Sequence, residues 1–347
     1  MQIELPISKS IANRWLMLQA IHGDELMPVS DSMPDDVQIL HNALTTLRTF
    51  KTSKTLSTPH IDVGNCGTAM RFLTAYCAQL DGQTVILDGV ERMCHRPIGQ
   101  LVDALREIGA DIEYLGEEGF PPLRIKGCIL DRHRMVTINN PQSTQYISAL
   151  LLIGANVITN STSPYIYITQ EVIKQYQLSP FSYHLSVEKD WSSAAFWYEY
   201  VALHGGEITL PGLSRDSLQG DKVVADIFAQ LGVTTQYMEE GIVIYPSLLQ
   251  STTYTLHQDF SACPDLYPVV ALTCERLGIE LHATGVESLP LKESDRLRAV
   301  REHRTDHDHR MAMALLVAGH EVDDTACISK SYPQFIEQWK SVNGFNE

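Results

Sequence analysis

Lysine and arginine are scarce in this sequence: 26 basic residues stand against 42 acidic ones, for a formal net charge of −16. A nucleic-acid-binding surface needs a clustered excess of basic side chains, so we expect no nucleic-acid partner. Long hydrophobic runs are also absent. The longest nearly apolar stretch, 149–155, is far shorter than the ~20 residues of a membrane span, which excludes that class. The first residues, MQIELPISKS, contain no apolar signal-peptide core, so we expect a cytoplasmic protein.

The seven cysteines form no metal or redox motif, because no two of them lie closer than eleven positions. We interpret them as reduced core thiols. The sequence also lacks GxxxxGK[ST] and GxGxxG, so P-loop and Rossmann nucleotide sites have no support. What it does have is 44% hydrophobic residues in a chain of 347. That is enough for about two domains with sizeable cores.

Two kinds of helix alternate along the chain. The first is rich in small residues and apolar on nearly all faces, which is typical of buried helices. We expect it at Ser10–Ile21, Thr68–Leu80, Ser143–Ile153, Ser192–Leu203, Asp265–Leu277 and His309–Ala318, with Asn65, Asp190 and Ser261 near the capping positions. The second kind is amphipathic and is predicted at Asp36–Leu47, Ile98–Ile108, Gln170–Tyr176, Asp221–Leu231 and Tyr332–Val342. Short β-branched strands fill the gaps, at Thr84–Leu87, Val136–Ile138, Glu207–Leu210 and Ile242–Tyr245. The pattern indicates six α/β units, three in each half.

The last gap between buried helices is too short for the repeat. Only DRLRAV precedes RTDHDHR, which leaves no room for a complete amphipathic helix and the strands that should follow. Either these strands have been deleted, or the sequence joins stretches that are separated in the full protein. We favour the second, because a unit without its strands would bury its core poorly.

The few cations concentrate at predicted helix starts and their approach loops. The segments that carry them are SKSIANR, GNCGTAMR, RMCHRPIG, LKESDRLR, HDHR and ISKSYP, and PQSTQ adds hydroxyls at another helix start. A helix N-terminus presents free N–H groups and a partial positive charge, so added cations make an anion site. One such segment alone is most often a cap with a solvated cation or a surface ion pair. Six or seven of them in an acidic protein indicate a pocket for a substrate with several anionic groups.

Two further features of the sequence, Asp265 and a His/Asp-rich run, are each considered on their own. Asp265 follows Pro264 at the start of a buried helix, where a carboxylate complements the helix dipole. The run His303, Asp306, His307, Asp308 and His309 could pass for a metal site. Its spacing matches no standard ligand frame, so we predict no metal.

Together these segments resemble the 5-enolpyruvylshikimate-3-phosphate (EPSP) synthase family. The matching strings are SKSIANR, GNCGTAMR, DGVERMCHRPIG, STQYISALL, SPYIYIT, LQGDK, PDLYPVVAL, LKESDRL, DHRMAMA and SKSYPQF, in the family's order. The resemblance implies an α/β fold of two similar domains, each of three βαβαββ units with buried helices, an inside-out α/β barrel. One domain would span 8–187 and the other 1–7 plus 188–347, with the active site in the cleft between them.

The same resemblance implies a transferase of the shikimate pathway. It would move the enolpyruvyl group of phosphoenolpyruvate to the 5-hydroxyl of shikimate 3-phosphate and release phosphate. The implied partners are these two small-molecule substrates, with no metal, organic cofactor, nucleic acid or membrane, and the implied state is a monomer. Domain closure on shikimate 3-phosphate would complete the site.

Site residues follow from the matched motifs. Asp265 would accept the hydroxyl proton, and Glu293 with Lys9 would protonate the methylene carbon of phosphoenolpyruvate. The implied shikimate 3-phosphate site comprises Lys9, Ser10, Arg14, Ser143, Thr144, Gln145, Thr162, Asp265 and Lys292. The implied phosphoenolpyruvate site comprises Lys9, Gly67, Arg96, Gln145, Arg296, Arg310 and Lys330.

Two alternatives stay open at this point. A UDP-N-acetylglucosamine enolpyruvyl transferase shares the donor, but it would want a reactive cysteine, for which Cys94 is the only candidate. A non-catalytic phospho-acid-binding homologue is the other. It would follow if the family's further residues before Ile61, between Gln177 and Glu188, and between Arg296 and Asp308 are truly deleted here.

Overall fold

The computed structural model describes residues 1–52, 58–179, 187–247 and 254–344. These fall into two compact units. The terminal unit comprises Met1–Lys9, Asp31–Asp35 and Val187–Glu347, and the central unit comprises Ser10–Ser30 and Asp36–Ser186. In the described part of the chain, no helix is both long enough and apolar enough to cross a membrane.

The central unit contains seven helices and six strands among its described residues. Its helices are α1 (Lys9–His22, whose first residue is assigned to the terminal unit), α2 (Asp35–Thr52, likewise), α3 (Gly67–Ala78), α4 (Glu91–Cys94), α5 (Gly99–Glu107), α6 (Gln145–Leu152) and α7 (Pro164–Leu178). Its strands are β1 (His60–Asp62), β2 (Thr84–Asp88), β3 (Asp111–Tyr114), β4 (Leu123–Lys126), β5 (Met135–Thr137) and β6 (Asn156–Ile158).

One complete βαβαββ unit lies within this part of the chain. In sequence it runs β1, α3, β2, α5, β3 and β4, and the strands are ordered β1-β2-β4-β3 in the sheet. The β1–β2 pair is parallel, and β4 runs antiparallel to both β2 and β3. A second parallel pair, β5–β6, flanks α6. Two parallel strands must be joined by a crossover connection, which is usually a helix. This is why helices and strands alternate in this unit.

The buried helices α1, α3 and α6 form the core of the central unit. Every residue of α3 except Thr68 is buried, as its composition of small and apolar residues predicts. Trp15 on α1 and Phe72 on α3 have no exposed surface, and each such side chain contributes about 1.5–3 kcal/mol by burial. The N-cap of α3 is Cys66, whose Sγ accepts from the Ala69 N–H at 3.4 Å. The cap therefore lies one residue after the predicted Asn65.

The terminal unit contains six helices and five strands among its described residues. Its helices are α8 (Trp191–His204), α9 (Val224–Gln230), α10 (Tyr267–Leu277), α11 (Arg296–Glu302), α12 (His309–Val317) and α13 (Phe335–Val342). Four short 3₁₀ segments accompany them, at Gly220–Val223, Pro264–Leu266, Leu289–Leu291 and Ala326–Lys330. Its strands are β7 (Ile208–Pro211), β8 (Val233–Met238), β9 (Gly241–Pro246), β10 (Thr255–Asp259) and β11 (Glu280–Thr284).

Two sheets frame the buried helices of this unit. The first has the order β7-β9-β8, and Gln2 at the start of the chain pairs in parallel with Thr209 of β7. The second is the parallel pair β10–β11 around α10. Helices α8, α10 and α12 carry the core, and Trp191 and Trp197 of α8 are fully buried. Asp190 caps α8 as predicted, since its side chain accepts from the Ser193 N–H at 3.0 Å.

Most predicted helix and strand bounds are confirmed to within three residues, but α7 begins six residues before the predicted Gln170 and α2 ends five residues after the predicted Leu47. Residues 101–114, LVDALREIGADIEY, resemble residues 224–237, VADIFAQLGVTTQY, and the two segments form α5–β3 and α9–β8, so the alternation of helix and strand repeats in both units. The capping role predicted for Ser261 is wrong. A 3₁₀ turn from Pro264 precedes α10, and Ser261 instead donates to the Asp259 carboxylate at 2.6 Å.

The last unit has the short form noted in the sequence. Helix α11 ends at Glu302 and α12 begins at His309, so six residues join them where strands were expected. Three of the six, His303, Asp306 and His307, adopt positive φ angles. A six-residue loop therefore connects α11 directly to α12.

Candidate active site

A dense group of ion pairs surrounds Asp265 in the terminal unit. Its Oδ1 accepts from Nη1 of Arg296 at 2.7 Å and lies 3.5 Å from Nζ of Lys292. Its Oδ2 lies 3.0 Å from Nη2 of Arg310. We call Asp265, Lys292, Glu293, Arg296, Arg310 and Lys330 the Asp265 cluster. Two predicted acids and four predicted cations therefore meet in one place, although they come from four separate segments.

Arg296 is the centre of this cluster because it bonds to three carboxylates. It is the first residue of α11, and Glu293 one turn earlier accepts from its Nη2 at 3.1 Å. Its Nε donates to Asp308 at 2.8 Å, and Asp308 also caps α12 by accepting from the Arg310 N–H at 2.9 Å. The Arg296 side chain is only 1% exposed, so these bonds form in a medium of low dielectric.

Glu293 and Lys330 form a second ion pair in the cluster. Lys330 ends the 3₁₀ segment Ala326–Lys330, and its Nζ lies 3.6 Å from Oε1 of Glu293. Both side chains are about nine-tenths buried, at 11% and 12% exposure. The Glu293 carboxylate is therefore shared between two cations, Arg296 and Lys330.

Charges in the cluster set the protonation of its acids. Burial alone would raise the pKa of Asp265, but the charges of Arg310, Lys292 and Arg296 outweigh it and hold the pKa well below the usual range. The pKa of nearby Asp221, which accepts a hydrogen bond from the Ser192 hydroxyl, is shifted in the opposite direction. Burial, followed by the charge of Asp265, raises the pKa of Asp221 to about 7. One carboxylate is therefore fully ionised at neutral pH while its neighbour is close to half-protonated.

Lys9 lies beside the same cluster. Its charge acts on the buried His309 ring, as do the charges of Arg310, Glu293 and Lys330. Burial, with help from Lys9 and Arg310, holds the pKa of His309 well below its usual value, so the ring is neutral. Burial raises the pKa of Asp190, and the charges of Arg310 and Lys9 partly oppose that rise, so Lys9 also lies near this carboxylate. The first residue of α1 thus belongs with the acids of the terminal unit.

In the central unit, two arginines converge on Gly67 at the start of α3. A Cβ built on Gly67 would stand 2.8 Å from Nη1 and Nη2 of Arg96 and 2.9 Å from Nη1 of Arg71. Any larger residue would displace one or both guanidinium groups from this helix N-terminus. Backbone carbonyls hold them: Arg96 donates to Asn65 O at 3.4 Å, and Arg71 donates to Pro97 O at 3.0 Å. Two cations beside the first N–H groups of a helix favour an anion at this place, and we call Gly67, Arg71 and Arg96 the Gly67 cradle.

The predicted hydroxyl-rich segment forms the start of α6. Ser143 accepts through Oγ from the Gln145 N–H at 3.3 Å, and Thr144 occupies the N-cap position. The amide of Gln145 donates to the Thr68 hydroxyl at 2.9 Å. Since Thr68 follows Gly67 on α3, this bond brings the start of α6 next to the start of α3.

Arg14 is buried within the central unit and links three helices. Its Nε donates to the Thr169 hydroxyl at 2.7 Å, and its Nη2 donates to the Ser148 hydroxyl at 3.2 Å and to Tyr165 O at 3.1 Å. Its Nη1 donates to Ser10 O at 2.6 Å, which fixes the first turn of α1. Burial lowers the pKa of Arg14 to about 10, so it remains charged at neutral pH.

All the site residues predicted from the sequence lie in described parts of the chain, but they form several groups. Lys9, Asp265, Lys292, Glu293, Arg296, Arg310 and Lys330 lie together in the terminal unit. Ser10, Arg14, Gly67, Arg96, Ser143, Thr144, Gln145 and Thr162 lie in the central unit. Within that unit the guanidinium group of Arg96 lies close to Gly67, and Arg14 donates a hydrogen bond to Ser10 O. Thr162 is exposed in the loop before α7, and its neighbour Ser163 caps that helix.

Three residues near these groups were not predicted as site residues. Arg71 was noted as a cation in GNCGTAMR, but its place beside Arg96 depends on the fold. Asp308 could have been suspected, because it precedes Arg310 by two residues at a helix start. Asp221 shows no signal in the sequence beyond its place in LQGDK, since its unusual pKa arises from burial.

Comparison with known proteins identifies relatives over nearly the whole chain. The sequence model of the family described as EPSP synthase (3-phosphoshikimate 1-carboxyvinyltransferase) matches residues 1–179, 154–303 and 300–339. The 3-phosphoshikimate 1-carboxyvinyltransferase of Bacteroides fragilis is 37% identical over 395 aligned positions, which cover 96% of this chain and 93% of the relative. That of Colwellia psychrerythraea is 30% identical and covers 99% and 96%.

These matches also show that the chain is shorter than its relative. The 395 aligned positions exceed the 347 residues of this chain by 48, so the relative has residues without a counterpart here. The family match changes segment at 154–179 and at 300–303, close to two of the three places where the sequence predicted missing material.

The fold agrees with the same relationship. The solved EPSP synthase from Acinetobacter baumannii superposes with a TM-score of 0.67 at 21% identity, covering 98% of this chain and 95% of that one. The predicted α/β fold class of this family is therefore confirmed. By sequence match, by relatives above 30% identity and by fold, this chain belongs to the EPSP synthase family.

Proposed function

We propose that this protein transfers the enolpyruvyl group of phosphoenolpyruvate to the 5-hydroxyl of shikimate 3-phosphate and releases inorganic phosphate. Membership of the family supports this function, as do the names of the relatives. The single observation that carries it within the chain is the Asp265 cluster. It sets two carboxylates among four cations, which is what acid–base chemistry on anionic substrates requires.

The residues proposed to bind shikimate 3-phosphate are those of the matched motifs. They are Ser10, Arg14, Ser143, Thr144, Gln145 and Thr162 in the central unit and Lys9, Lys292 and Asp265 in the terminal unit. The support is chemical: hydroxyls and helix N-termini suit a phosphate ester, and Arg14 holds the Ser10 turn in place. Lys292 lies 3.5 Å from Asp265, so a substrate held by the lysine would bring its hydroxyl towards the carboxylate.

Phosphoenolpyruvate would be bound mainly by arginine. Gly67 and Arg96 of the central unit form a cradle for one anionic group, with Gln145 beside it through Thr68. Arg296, Arg310, Lys330 and Lys9 are the proposed contacts of the terminal unit. Arginine suits this task because its planar fork pairs with a carboxylate or phosphate through two parallel hydrogen bonds.

The reaction would proceed by addition followed by elimination. Glu293, with Lys9, would deliver a proton to the methylene carbon of phosphoenolpyruvate, and the 5-hydroxyl oxygen would bond to its central carbon. Asp265 would take the hydroxyl proton. The new methyl group would then return a proton to Glu293, and the carbon–oxygen bond to phosphate would break as the leaving phosphate takes the proton held by Asp265, which restores the double bond and both carboxylic groups. The products are the enolpyruvyl ether and inorganic phosphate.

Substrate binding itself would prepare Asp265 for this role. Without substrate, the pKa of Asp265 is well below the usual range, because the positive charges of Arg310, Lys292 and Arg296 stabilise the carboxylate. An anionic substrate that binds Arg296 and Arg310 would take up part of their charge. The pKa of Asp265 would rise, and the carboxylate would become a stronger base once phosphoenolpyruvate is bound.

The alternative acceptor, UDP-N-acetylglucosamine, is disfavoured by the state of Cys94. Burial and the charge of Asp88 raise the pKa of the Cys94 thiol. Its Sγ lies 3.9 Å from Oδ1 of Asp88 and 3.7 Å from Gly89 O. A thiol held beside a carboxylate is a poor nucleophile at neutral pH, so it does not suit the reactive cysteine that this alternative needs.

The test is phosphate release by the full chain with each substrate alone and with both together. We expect release only with both, and we expect Asp265→Ala to lower turnover by roughly 10²–10⁴-fold while shikimate 3-phosphate still binds. Release from phosphoenolpyruvate alone would contradict a transfer reaction. Binding of shikimate 3-phosphate without any release would instead favour the non-catalytic homologue.

A further inference from the structure

Three potential metal ligands meet at the C-terminal ends of α10, α11 and α12. Glu275 lies on the last turn of α10, His303 follows α11 directly, and His320 follows α12 after Gly319. One ligand atom from each lies within 4.8 Å of the others. We call these residues the Glu275 cluster. It contains none of the residues assigned above to substrate binding or catalysis.

The spacing of these side chains is close to that of a metal site. Nε2 of His303 lies 2.9 Å from Oε1 and 3.1 Å from Oε2 of Glu275. The rings of His303 and His320 have centroids 4.0 Å apart and are inclined by 32°. A tetrahedral zinc ion about 2.0–2.1 Å from each ligand sets neighbouring ligand atoms roughly 3.3 Å apart, so small side-chain rotations suffice.

Backbone geometry holds the two histidines at fixed places. His303 is left-handed, at φ 50° and ψ 48°, and its N–H closes the end of α11. The N–H of His320 donates to Leu315 O at 2.9 Å, beyond the left-handed Gly319. Ligands on helix ends that are closed in this way need little ordering when an ion binds.

His320 gives the second, independent indication. Its Nε2 is buried, and among the described residues it has no hydrogen-bond partner. A buried polar atom normally has a partner, because an unpaired one has lost its hydrogen bonds to water without replacement. A bound ion would supply that partner.

We propose that Glu275, His303 and His320 bind one divalent zinc ion, with water as the fourth ligand. Two imidazole nitrogens and one carboxylate oxygen form a donor set typical of zinc. The run His303–His309 in the sequence does not form this site. His307 pairs with Asp324 at 2.6 Å, Asp308 binds Arg296, and His309 is buried elsewhere, so only His303 contributes.

The position of this site suggests what the ion does. It would join the ends of three helices at the short α11–α12 connection, where the family match also changes segment. Arg296 and Arg310 lie at the opposite ends of α11 and α12. The seven residues of α11 separate the ion from Arg296 by about 10 Å, so the ion would brace these helices without taking part in the reaction.

The experiment uses the full chain after chelator treatment and titration with Zn²⁺, followed by calorimetry and thermal unfolding. We expect one ion per chain and a higher Tm with zinc. His320→Ala and Glu275→Gln should each weaken zinc binding by about tenfold or more and abolish the rise in Tm. Cobalt in place of zinc should give a tetrahedral visible spectrum without the sulfur charge-transfer band that a thiolate site would show.

The matched control is His282→Ala. His282 stacks on His257 at 4.7 Å and lies 3.3 Å from Glu280, so it belongs to a similar surface group in the same unit. Zinc affinity should not change in this variant. The proposal is overturned if zinc fails to bind, if His320→Ala and Glu275→Gln bind zinc as tightly as the unaltered chain, or if affinity falls only in His282→Ala. Circular dichroism without metal confirms that each variant folds, and Glu275→Gln supplies the result if His320→Ala does not.

Discussion

Arg296 donates through Nη1 to Oδ1 of Asp265 at 2.7 Å. This bond joins the proposed catalytic base to a cation proposed to bind phosphoenolpyruvate. The motifs assign the two residues to different tasks, but in the folded chain they are electrostatically coupled. Occupancy of one therefore changes the basicity of the other.

Replacement of Arg296 should reveal this coupling. In Arg296→Ala, Asp265, Glu293 and Asp308 lose a shared buried cation, so we expect a loss of about 3–5 kcal/mol in the free energy of unfolding. Urea denaturation measures it. The control is Arg298→Ala on the same helix, where the arginine is exposed and pairs with Asp306 at 3.1 Å; stability should hardly change. Equal losses in the two variants would contradict a central role for Arg296.

The cradle at Gly67 predicts a selective binding defect. In Gly67→Ala the new methyl group would overlap the guanidinium groups of Arg96 and Arg71. Overpacking of this kind costs ~1–3 kcal/mol, so we expect KM for phosphoenolpyruvate to rise roughly ten- to hundredfold. Steady-state kinetics with each substrate varied in turn measures the effect, and KM for shikimate 3-phosphate should change much less.

Gly99→Ala provides the control for this prediction. Gly99 also begins a helix, α5, but its nearest neighbour would be Gly119 Cα at 3.4 Å, an ordinary contact. Both KM values should stay close to those of the unaltered enzyme. An equal rise of both KM values in Gly67→Ala would indicate a general structural change rather than a defect in the cradle.

Asp221 should give stability a distinctive pH dependence. Burial and the charge of Asp265 raise its folded pKa to about 7, whereas an unfolded aspartate titrates near 3.8. The folded state thus holds the proton more tightly. The stability from this group is fully present below about pH 4 and is lost as the pH rises to about 7.

Asp221→Asn removes this titration and keeps an amide to meet Ser192. Relative to the unaltered protein, the variant should therefore gain on the order of 1–4 kcal/mol between pH 4.5 and pH 7.5. Chemical denaturation at the two pH values measures this gain. Asp226→Asn, an exposed carboxyl on α9, should show no such change. A variant whose stability relative to the unaltered protein is the same at both pH values would show that Asp221 is not protonated in the folded state.

Thr169 tests the support behind Arg14. Its hydroxyl is wholly buried and accepts from Arg14 at 2.7 Å, so Thr169→Val leaves the guanidinium short of an acceptor. We expect a loss of about 1–3 kcal/mol in the free energy of unfolding and a higher KM for shikimate 3-phosphate. Thr46→Val on the exposed face of α2 removes only a 2.8 Å bond to Asn42 O and should change neither quantity. Unchanged stability in Thr169→Val would mean that the Arg14 network is dispensable.

The sequence predicted the fold well because its signals are local. Buried helices such as α3 are apolar on almost every face, and the paired strings that form α5–β3 and α9–β8 repeat their pattern within a few residues. Cys66 was missed as a cap because a thiol is a weak acceptor, and Asn65 is the stronger capping residue by type. The short connection after α11 was predictable because too few residues separate DRLRAV from the last buried helix.

The site was predictable in its members but not in its couplings. Asp265, Glu293 and Arg296 follow from motifs, since each lies at a recognisable helix start. That Arg296 joins Asp265 to Asp308 depends on contacts between segments far apart in sequence. The raised pKa of Asp221 likewise comes from burial, which no local pattern encodes.

The most direct test of the account is the reaction run in D₂O, with the product's methylene group examined by mass spectrometry and NMR. Proton transfer to the methylene carbon followed by loss from a methyl group predicts deuterium in the product, only when both substrates are present. Asp265→Ala and Glu293→Gln should both slow its appearance. Product that forms at the normal rate without deuterium would contradict the addition–elimination mechanism and the roles proposed for these two carboxylates.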